Sequence, residues 1–194
     1  MNFLAHLHLS GDEPLVMVGN FMADAVKGRD LSAHHPDVQR GIRLHRRIDS
    51  FTDQHPITAI GRARVRAHCG KYAGVALDLF YDHLLASDWD RYRSEPLPHF
   101  AQRCYGLLRS EKARLPERTQ GMLPYMVQGD WLTSYATISG IGAALHGLSS
   151  RAYKADALAG AEVVLHDHIA VYRDEFRIFL AAMEEHIRGA GNEG

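Results

Sequence analysis

Apolar residues at helical spacing, broken by Gly, Pro and short polar stretches, are the feature that most constrains the fold of this 194-residue chain. Segment 72–89 is the most apolar, so a helix there should lie at the centre of the protein. Strand-like alternation is confined to residues 4–9, which is too short to seed a sheet. The pattern predicts an all-α fold, a single-domain helical bundle over 1–188, with a flexible tail over 189–194.

The predicted helices begin or end at Pro, Gly or short polar breaks. They cover residues 14–28, 36–51, 57–69, 72–89, 98–115, 117–128, 139–148 and 155–187. Pro14 and Pro36 suit the first turn of their helices, because a first-turn residue needs no backbone N–H donor. The last segment is expected to be one long helix, since its apolar residues keep a spacing near 3.6.

Charge and cysteine content narrow the class of protein. Acidic and basic side chains nearly cancel, at 23 against 22, so a strongly basic nucleic-acid-binding protein is not expected. Cys69 and Cys104 form no C-x-x-C motif, which excludes a disulfide framework and fits a reducing cytoplasm. We see no signal peptide and no apolar run of the ~18 to 20 residues that cross a bilayer. The prediction is a cytoplasmic protein without a membrane or nucleic-acid partner.

Histidine is abundant, at 13 residues, and several histidines and acids interrupt apolar helices. The interrupting polar residues are His6, His8, Asn20, Asp24, His45, Asp49, Asp53, Asp78, Asp82 and His83. A carboxylate among apolar side chains costs several kcal/mol unless it is paired or binds a metal. Mixed imidazole and carboxylate ligands suit Mn²⁺, Fe²⁺ or Zn²⁺ better than Ca²⁺. The pattern therefore indicates a divalent metal site built from several helices.

Each of these residues also has a structural alternative. His8 could simply be a packed histidine, and Asp53 could belong to the turn before Pro56. Asp24 and Asp82 lie in more apolar surroundings, which favours a metal or catalytic role. The triplet 166–168 (His-Asp-His) is expected to be a solvated face, because adjacent residues of a helix point in different directions.

Arg46 and Arg47 directly follow His45. Guanidinium groups beside a metal are typical of a phosphate site, because they bind phosphate oxygens bidentately and stay charged. The alternative for either arginine is an ion pair with Asp49 or Asp53. The pair favours a phosphate ester as substrate.

A dense basic run follows on the next predicted helix. It comprises Arg62, Arg64, Arg66 and Lys71. Such a run is usually a solvated helix face, but it could also dock an acidic partner.

These motifs together resemble a known family. The relevant stretches are M-N-F-L-A-H-L-H-L at 1–9, Gly19-Asn20, Ala23-Asp24, H-R-R-I-D at 45–49, Thr52-Asp53, Leu77-Asp78 and Asp82-His83. They closely resemble bacterial acyl carrier protein phosphodiesterases, most strongly over residues 1–85. The resemblance implies removal of 4'-phosphopantetheine from holo acyl carrier protein, a step of fatty acid metabolism. It also implies kinship with HD-domain phosphohydrolases, which are helical and bind a divalent metal, often Mn²⁺, with Mg²⁺ or Fe²⁺ as alternatives.

Carried over residue by residue, the resemblance implies a set of site residues. The implied metal ligands are His6, Asp24, Asp82 and His83. Three further side chains would be ligands or would orient them, namely His45, Asp49 and Asp78. The chain departs from the usual HD order, in which a His precedes an adjacent His-Asp pair, because it has Asp82-His83 instead.

The expected reaction is attack by a metal-activated water on phosphorus, with the serine oxygen leaving. Arg46 or Arg47 would neutralise charge on the phosphoryl oxygens, and a nearby Asp or His would protonate the serine. Carrier proteins are acidic, so four arginines are candidates for docking the substrate. These are Arg43, Arg62, Arg64 and Arg66.

Two rival functions remain open from the sequence. One is a metal-dependent phosphohydrolase of a nucleotide or another small phosphoester, which would share the metal site. The other is a non-catalytic helical module that only binds carrier proteins. Acids buried on several helices argue against the second, because a binding module has no use for them.

Overall fold

The computed structural model describes residues 1–150 and 155–191, and within them the chain is helical without any strand. The α-helices are α1 (Phe3–Leu9), α2 (Pro14–Met22), α3 (Pro36–Gln54), α4 (Pro56–Cys69), α5 (Ala73–Ser87), α6 (Leu97–Ser110), α7 (Glu117–Gln128), α8 (Trp131–Ser134), α9 (Ile138–Ser149), α10 (Glu162–Asp167) and α11 (Ile169–Gly191). This confirms the predicted all-α fold. No described helix is both long and apolar enough to span a bilayer. The expected cytoplasmic location stays a prediction.

Helix α5 lies at the centre of the bundle, as its apolar sequence predicts. Leu77, Phe80 and Leu85 on this helix are fully buried. Phe80 packs edge-on against Tyr172 of α11, with ring centroids 5.5 Å apart. Tyr81 stacks on Phe179, about two turns further along α11, with ring centroids 4.9 Å apart. Because α5 is covered on nearly all sides, the few polar groups that it carries must find partners inside the protein.

Two glycines let α2 and α3 cross in close contact. A Cβ atom on Gly19 would overlap the carbonyl group of Val38, and one on Gly41 would overlap that of Val16. Only glycine permits backbones to approach so closely. The crossing brings Asn20, the residue after Gly19, against the face of α3 that carries His45.

The short helix α1 is held by a side chain from α5. Asp82 is fully buried, and its two carboxylate oxygens accept the backbone N–H groups of Leu4 and Ala5 at 2.8 and 3.1 Å. These N–H groups lie in the first turn of α1 and have no partner within that helix. A carboxylate also complements the positive end of the helix dipole. Asp82 therefore fixes α1 on α5.

The structure corrects two predicted helix boundaries. Helix α2 ends at Met22 and continues as a 3₁₀ turn over Ala23–Ala25, so Asp24 does not continue its α-helical face. The single helix predicted over 155–187 is wrong, because Gly160 takes a positive φ of 83° before α10, and His168 separates α10 from α11. Helix α11 continues to Gly191, and 192–194, part of the predicted tail, lie outside the described residues.

Candidate metal centre

Helices α1 and α3 bring two histidines onto one carboxylate. His6 Nε2 lies 3.1 Å from Asp49 Oδ1, and His45 Nε2 lies 3.0 Å from Asp49 Oδ2. One ligand atom from each of the three residues lies within 4.8 Å of the others. His45 and Asp49 are four residues apart and so share one face of α3, as the spacing predicts. His6 reaches them from the buried side of α1.

Asn20 of α2 joins the two histidines on the opposite edge of their rings. Its Oδ1 atom lies 2.9 Å from His6 Nδ1 and 3.1 Å from His45 Nδ1. Its Nδ2 atom donates to the carbonyl oxygen of His6 and to Ser10 Oγ, at 2.9 and 2.8 Å. Asn20 is fully buried, so every polar atom of its side chain has a partner inside the protein. Each histidine therefore has Asn20 at one nitrogen and a carboxylate at the other.

A second carboxylate stands at the outer edge of this cluster. Asp24 Oδ1 lies 3.1 Å from His45 Nε2, and the Asp24 side chain is 82% exposed. The 3₁₀ turn after α2 places it there. The hydrogen bond with His45 holds the pKa of Asp24 below its ordinary value. The cluster therefore opens to solvent on the Asp24 side.

Burial and ion pairing act differently on the two imidazoles. Burial lowers the pKa of His6 to about 4. Burial opposes charge on His45 as well, but its hydrogen bonds to Asp24 and Asp49 outweigh that and raise its pKa to about 9. The Asp49 carboxyl is partly buried, yet the hydrogen bond from His45 and the neighbouring His6 hold its pKa far below the ordinary value. At neutral pH, Asp49 is ionised between one neutral and one charged ring.

The donor set of this cluster fits a divalent metal ion. Two imidazole nitrogens and a carboxylate oxygen from His6, His45 and Asp49 converge, with Asp24 close by. Nitrogen and oxygen donors in this mixture suit first-row ions such as Mn²⁺, Fe²⁺ and Zn²⁺. Within the described part of the chain, no other group of three such side chains converges in this way.

Asp78 is linked to the cluster through the α-amino group of Met1. This amino group lies 3.1 Å from Asp78 Oδ1 and 3.8 Å from Asp49 Oδ1. Burial opposes charge on the amino group, but Asp78 and Asp49 outweigh it and raise its pKa. Burial raises the pKa of Asp78. Asp78 thus neighbours the site instead of meeting the histidines directly.

Two of the predicted ligands lie outside the cluster. Both oxygens of Asp82 accept backbone N–H groups of α1, and burial raises its pKa to about 7. His83 Nδ1 donates to the carbonyl oxygen of Tyr135, at 2.8 Å, and burial lowers its pKa. The structure gives both side chains other partners and brings neither to His45.

The two arginines after His45 differ in their surroundings. Arg46 donates through Nη2 to the carbonyl oxygens of Val26 and Gly28, at 3.3 and 2.8 Å. It thereby holds the segment that follows Asp24 against α3. Arg47 lies roughly 200° around the helix from His45, since each residue of a helix turns by about 100°. Of the two, Arg46 is the one that bonds to the segment following Asp24.

Several other predicted candidates take structural roles. His8 packs edge-on against Trp89, with ring centroids 5.6 Å apart. Asp53 accepts from Arg62 at 2.9 Å, and Arg64 pairs bidentately with Glu175. In the part of the chain that the structure describes, the exposed side chain of His166, in the triplet 166–168, bonds only to its neighbour Asp167. The packing of His8 and the exposure of His166 favour the structural alternatives for these two residues. Asp53 and Arg64 instead lie within helices and pair with other side chains of this chain.

Asn20 is the site residue whose role the sequence did not reveal. Its spacing with Asp24 marked it as an interruption of an apolar helix, but the amide alone carries no metal signature. The informative signal is its position directly after Gly19, since the glycine brings its backbone against α3. A fully buried carboxamide at such a crossing must bond to whatever the opposite helix presents.

Comparison with known proteins identifies relatives over nearly the whole chain. The family model for acyl carrier protein phosphodiesterase matches residues 1–183. A protein of that name from Yersinia pestis is 33% identical over 184 residues, covering 94% of this chain and 95% of the relative. Its namesake from Serratia proteamaculans is 36% identical over 161 residues, covering 82% and 83%. A third, from Escherichia coli O157:H7, is 34% identical over 188 residues, covering 94% and 95%. No solved structure matches the chain.

Proposed function

Because this chain belongs to the acyl carrier protein phosphodiesterase family, we propose that it hydrolyses the phosphodiester between 4'-phosphopantetheine and the serine of holo acyl carrier protein. The products are apo carrier protein and free 4'-phosphopantetheine. The observation that supports this activity is the convergence of His6, His45 and Asp49 next to the solvent-exposed Asp24, with Arg46 bonded to the segment that follows Asp24. Such a site suits hydrolysis of a phosphate ester carried by a large substrate.

We assign the metal to His6, His45 and Asp49, with Asp24 as a further oxygen donor at the open edge. This set replaces Asp82 and His83, which have other partners in the fold. When bound, a divalent ion, by family resemblance Mn²⁺, would polarise the phosphodiester and lower the pKa of a water molecule.

The chain's own residues supply the remaining chemistry. Arg46 bonds to the segment that follows Asp24, and its guanidinium would neutralise charge that develops on the phosphoryl oxygens. Its bonds to the carbonyl oxygens of Val26 and Gly28 hold it in place before substrate arrives. Asp24 is exposed and ionised, so it is placed to accept a proton from the attacking water. Asp78 would keep Asp49 in position through their shared contact with the Met1 amino group.

The segment after Asp24 is the best surface for an acidic substrate. Arg46 fixes its carbonyl groups against α3, and Lys27 and Arg29 are exposed on it. Arg43 is exposed on α3 itself. By contrast, Arg62 and Arg64 already bond to carboxylates of this chain. We therefore move the predicted docking surface from α4 to residues 27–29 and α3.

Mass spectrometry of a carrier protein tests the proposed activity directly. Purified enzyme is incubated with Mn²⁺ and holo acyl carrier protein, and the intact mass of the carrier is followed. We expect loss of the 4'-phosphopantetheine mass with wild-type enzyme, and none with Asp49→Asn. The control is His166→Ala, which changes an exposed histidine outside the cluster and should keep full activity. An unchanged carrier mass together with turnover of a nucleotide would instead favour a small-molecule phosphohydrolase.

A further inference from the structure

We propose that Asn20 is the positioning residue of this centre, because its single side-chain oxygen accepts the Nδ1 hydrogens of both His6 and His45 and thereby directs both Nε2 atoms at the metal. The inference rests on the proposed metal site and deepens it. Asn20 is placed to touch neither substrate nor metal. It acts through the two rings.

The orientation of the Asn20 amide follows from its other partners. One end of the amide lies 2.9 Å from the carbonyl oxygen of His6, which can only accept a hydrogen bond. That end must therefore be the NH₂ group. Ser10 Oγ already donates to the same carbonyl oxygen, at 2.7 Å, so it accepts from the NH₂ group as well. The amide oxygen is left facing the two rings.

The amide oxygen in turn decides where each imidazole carries its hydrogen. An oxygen has no hydrogen to give, so the nitrogens that face it, His6 Nδ1 and His45 Nδ1, must both be donors. A neutral ring protonated at Nδ1 has its lone pair at Nε2. Both Nε2 atoms point at Asp49, at 3.1 and 3.0 Å. In the metal-bound centre, where both rings are neutral, each Nε2 would therefore present its lone pair to the cation beside the Asp49 carboxylate.

Asn20 is held rigidly enough to orient both imidazole rings. It is fully buried, and the residue before it, Gly19, packs its backbone against that of Val38 on α3. The bonds to Ser10 and to the His6 carbonyl tie it to α1 as well. The amide therefore connects the helices that carry the two rings. Partners of this kind, bonded to the non-ligating nitrogen of a histidine, fix its ring orientation and tautomer.

The test combines a spectroscopic readout with metal affinity. In metal-free ¹⁵N-labelled protein at pH 8, long-range ¹H–¹⁵N NMR reports which nitrogen of His6 carries the hydrogen. We expect Nδ1–H in wild type and a shift to Nε2–H in Asn20→Leu, because Nε2–H can then donate to Asp49. Mn²⁺ affinity, measured from free Mn²⁺ by electron paramagnetic resonance, should fall roughly 10- to 100-fold in the same variant.

Two further variants separate the acceptor from simple packing. Asn20→Asp keeps an oxygen facing the rings but loses the NH₂ donors, so it should fold less stably yet keep the Nδ1–H tautomer of His6. Ser10→Ala removes a partner of the NH₂ group and should leave both readouts unchanged. If Asn20→Leu does not fold, the smaller Asn20→Ser, which cannot reach both rings, takes its place with the same expectations.

The outcomes distinguish this inference from the proposed function. An unchanged tautomer with Mn²⁺ affinity within twofold of wild type in Asn20→Leu would overturn the role of Asn20. Equal losses in Ser10→Ala and Asn20→Leu would do so too, because they would indicate packing alone. A wild-type protein that binds Mn²⁺ with the expected tautomer but leaves holo carrier protein intact would overturn the proposed function, and Asn20 would keep its assigned role.

Discussion

The imidazole rings of His6 and His45 stack nearly parallel, with centroids 4.0 Å apart and an angle of 18° between their planes. The rings come from different helices and meet because both bond to the same oxygen of Asn20. Two charged rings at this distance would repel each other, and His45 indeed helps to lower the pKa of His6. The stack is therefore better suited to two neutral rings that share one metal ion than to two protonated ones.

Removing either ring should abolish tight metal binding. We expect His6→Ala and His45→Ala each to weaken Mn²⁺ binding by more than the roughly 10- to 100-fold that loss of a ligand's hydrogen-bonding partner costs. His8→Ala is the matched control, since His8 belongs to α1 but packs on Trp89. Isothermal titration calorimetry with Mn²⁺ gives the affinities. A His8 variant as weak as the other two would contradict the assigned ligand set.

Asp82 should make stability depend on pH in a defined direction. Burial raises its pKa to about 7 in the folded chain, above the ordinary 3.8, so the folded state holds its proton more tightly. Its contribution to stability is then complete below about pH 4 and is lost as the pH rises to 7. Asp82→Asn cannot ionise. The free energy of unfolding of Asp82→Asn minus that of wild type should therefore rise over this range, by on the order of 1 to 4 kcal/mol, and level off above it.

Urea denaturation at pH values from 4 to 8 measures this difference. Asp82→Ala is the control, because it also cannot ionise but accepts neither N–H group of Leu4 and Ala5. It should follow the pH profile of Asp82→Asn at a lower overall stability. A difference between wild type and Asp82→Asn that stays constant with pH would contradict the raised pKa.

Most of the helices can be predicted from the sequence, because apolar spacing and the prolines at helix starts act locally. Pro36 and Pro56 begin α3 and α4, and the apolar segment 72–89 contains the central helix α5. The break at Gly160 has no such local signal, since an apolar period near 3.6 continues across it and hides the change of direction. A local sequence pattern predicts helices well. It predicts a break between two helices poorly when tertiary contacts, and not a change in the pattern, stabilise that break.

The site was predictable in part for a related reason. The spacing of His45 and Asp49 places both on one face, which needs only helix geometry. Asp82 looked equally metal-like, because a carboxylate in an apolar helix needs a partner of some kind. Its partner proved to be the N-terminus of α1, and no spacing within α5 encodes which helix end will lie opposite. The same holds for Asn20, whose role depends on two rings from other helices.

The crossing of α2 and α3 should be highly sensitive to one added methyl group. In Gly41→Ala the new Cβ would overlap the Val16 carbonyl group, so the helices must move apart. We expect a loss of about 1 to 3 kcal/mol in the free energy of unfolding, typical of overpacking, together with weaker Mn²⁺ binding. Gly106→Ala is the matched control, since nothing lies within 4 Å of its added Cβ in α6. It should gain roughly 0.4 to 1 kcal/mol. Thermal unfolding of both variants decides between these outcomes.

Charge reversal on the segment beside the site should weaken recognition of an acidic carrier protein while sparing the chemistry. Lys27 and Arg29 are exposed on the segment that Arg46 holds against α3. In the double variant Lys27→Glu/Arg29→Glu we expect KM for holo carrier protein to rise roughly 5- to 30-fold at low salt, with kcat little changed. The rise should shrink as salt screens the charges.

Arg109→Glu/Arg118→Glu is the control, because these arginines are exposed on α6 and α7, which contribute no residue to the metal cluster. Steady-state kinetics at several salt concentrations measures both variants, and equal rises in KM would argue against a docking surface at 27–29.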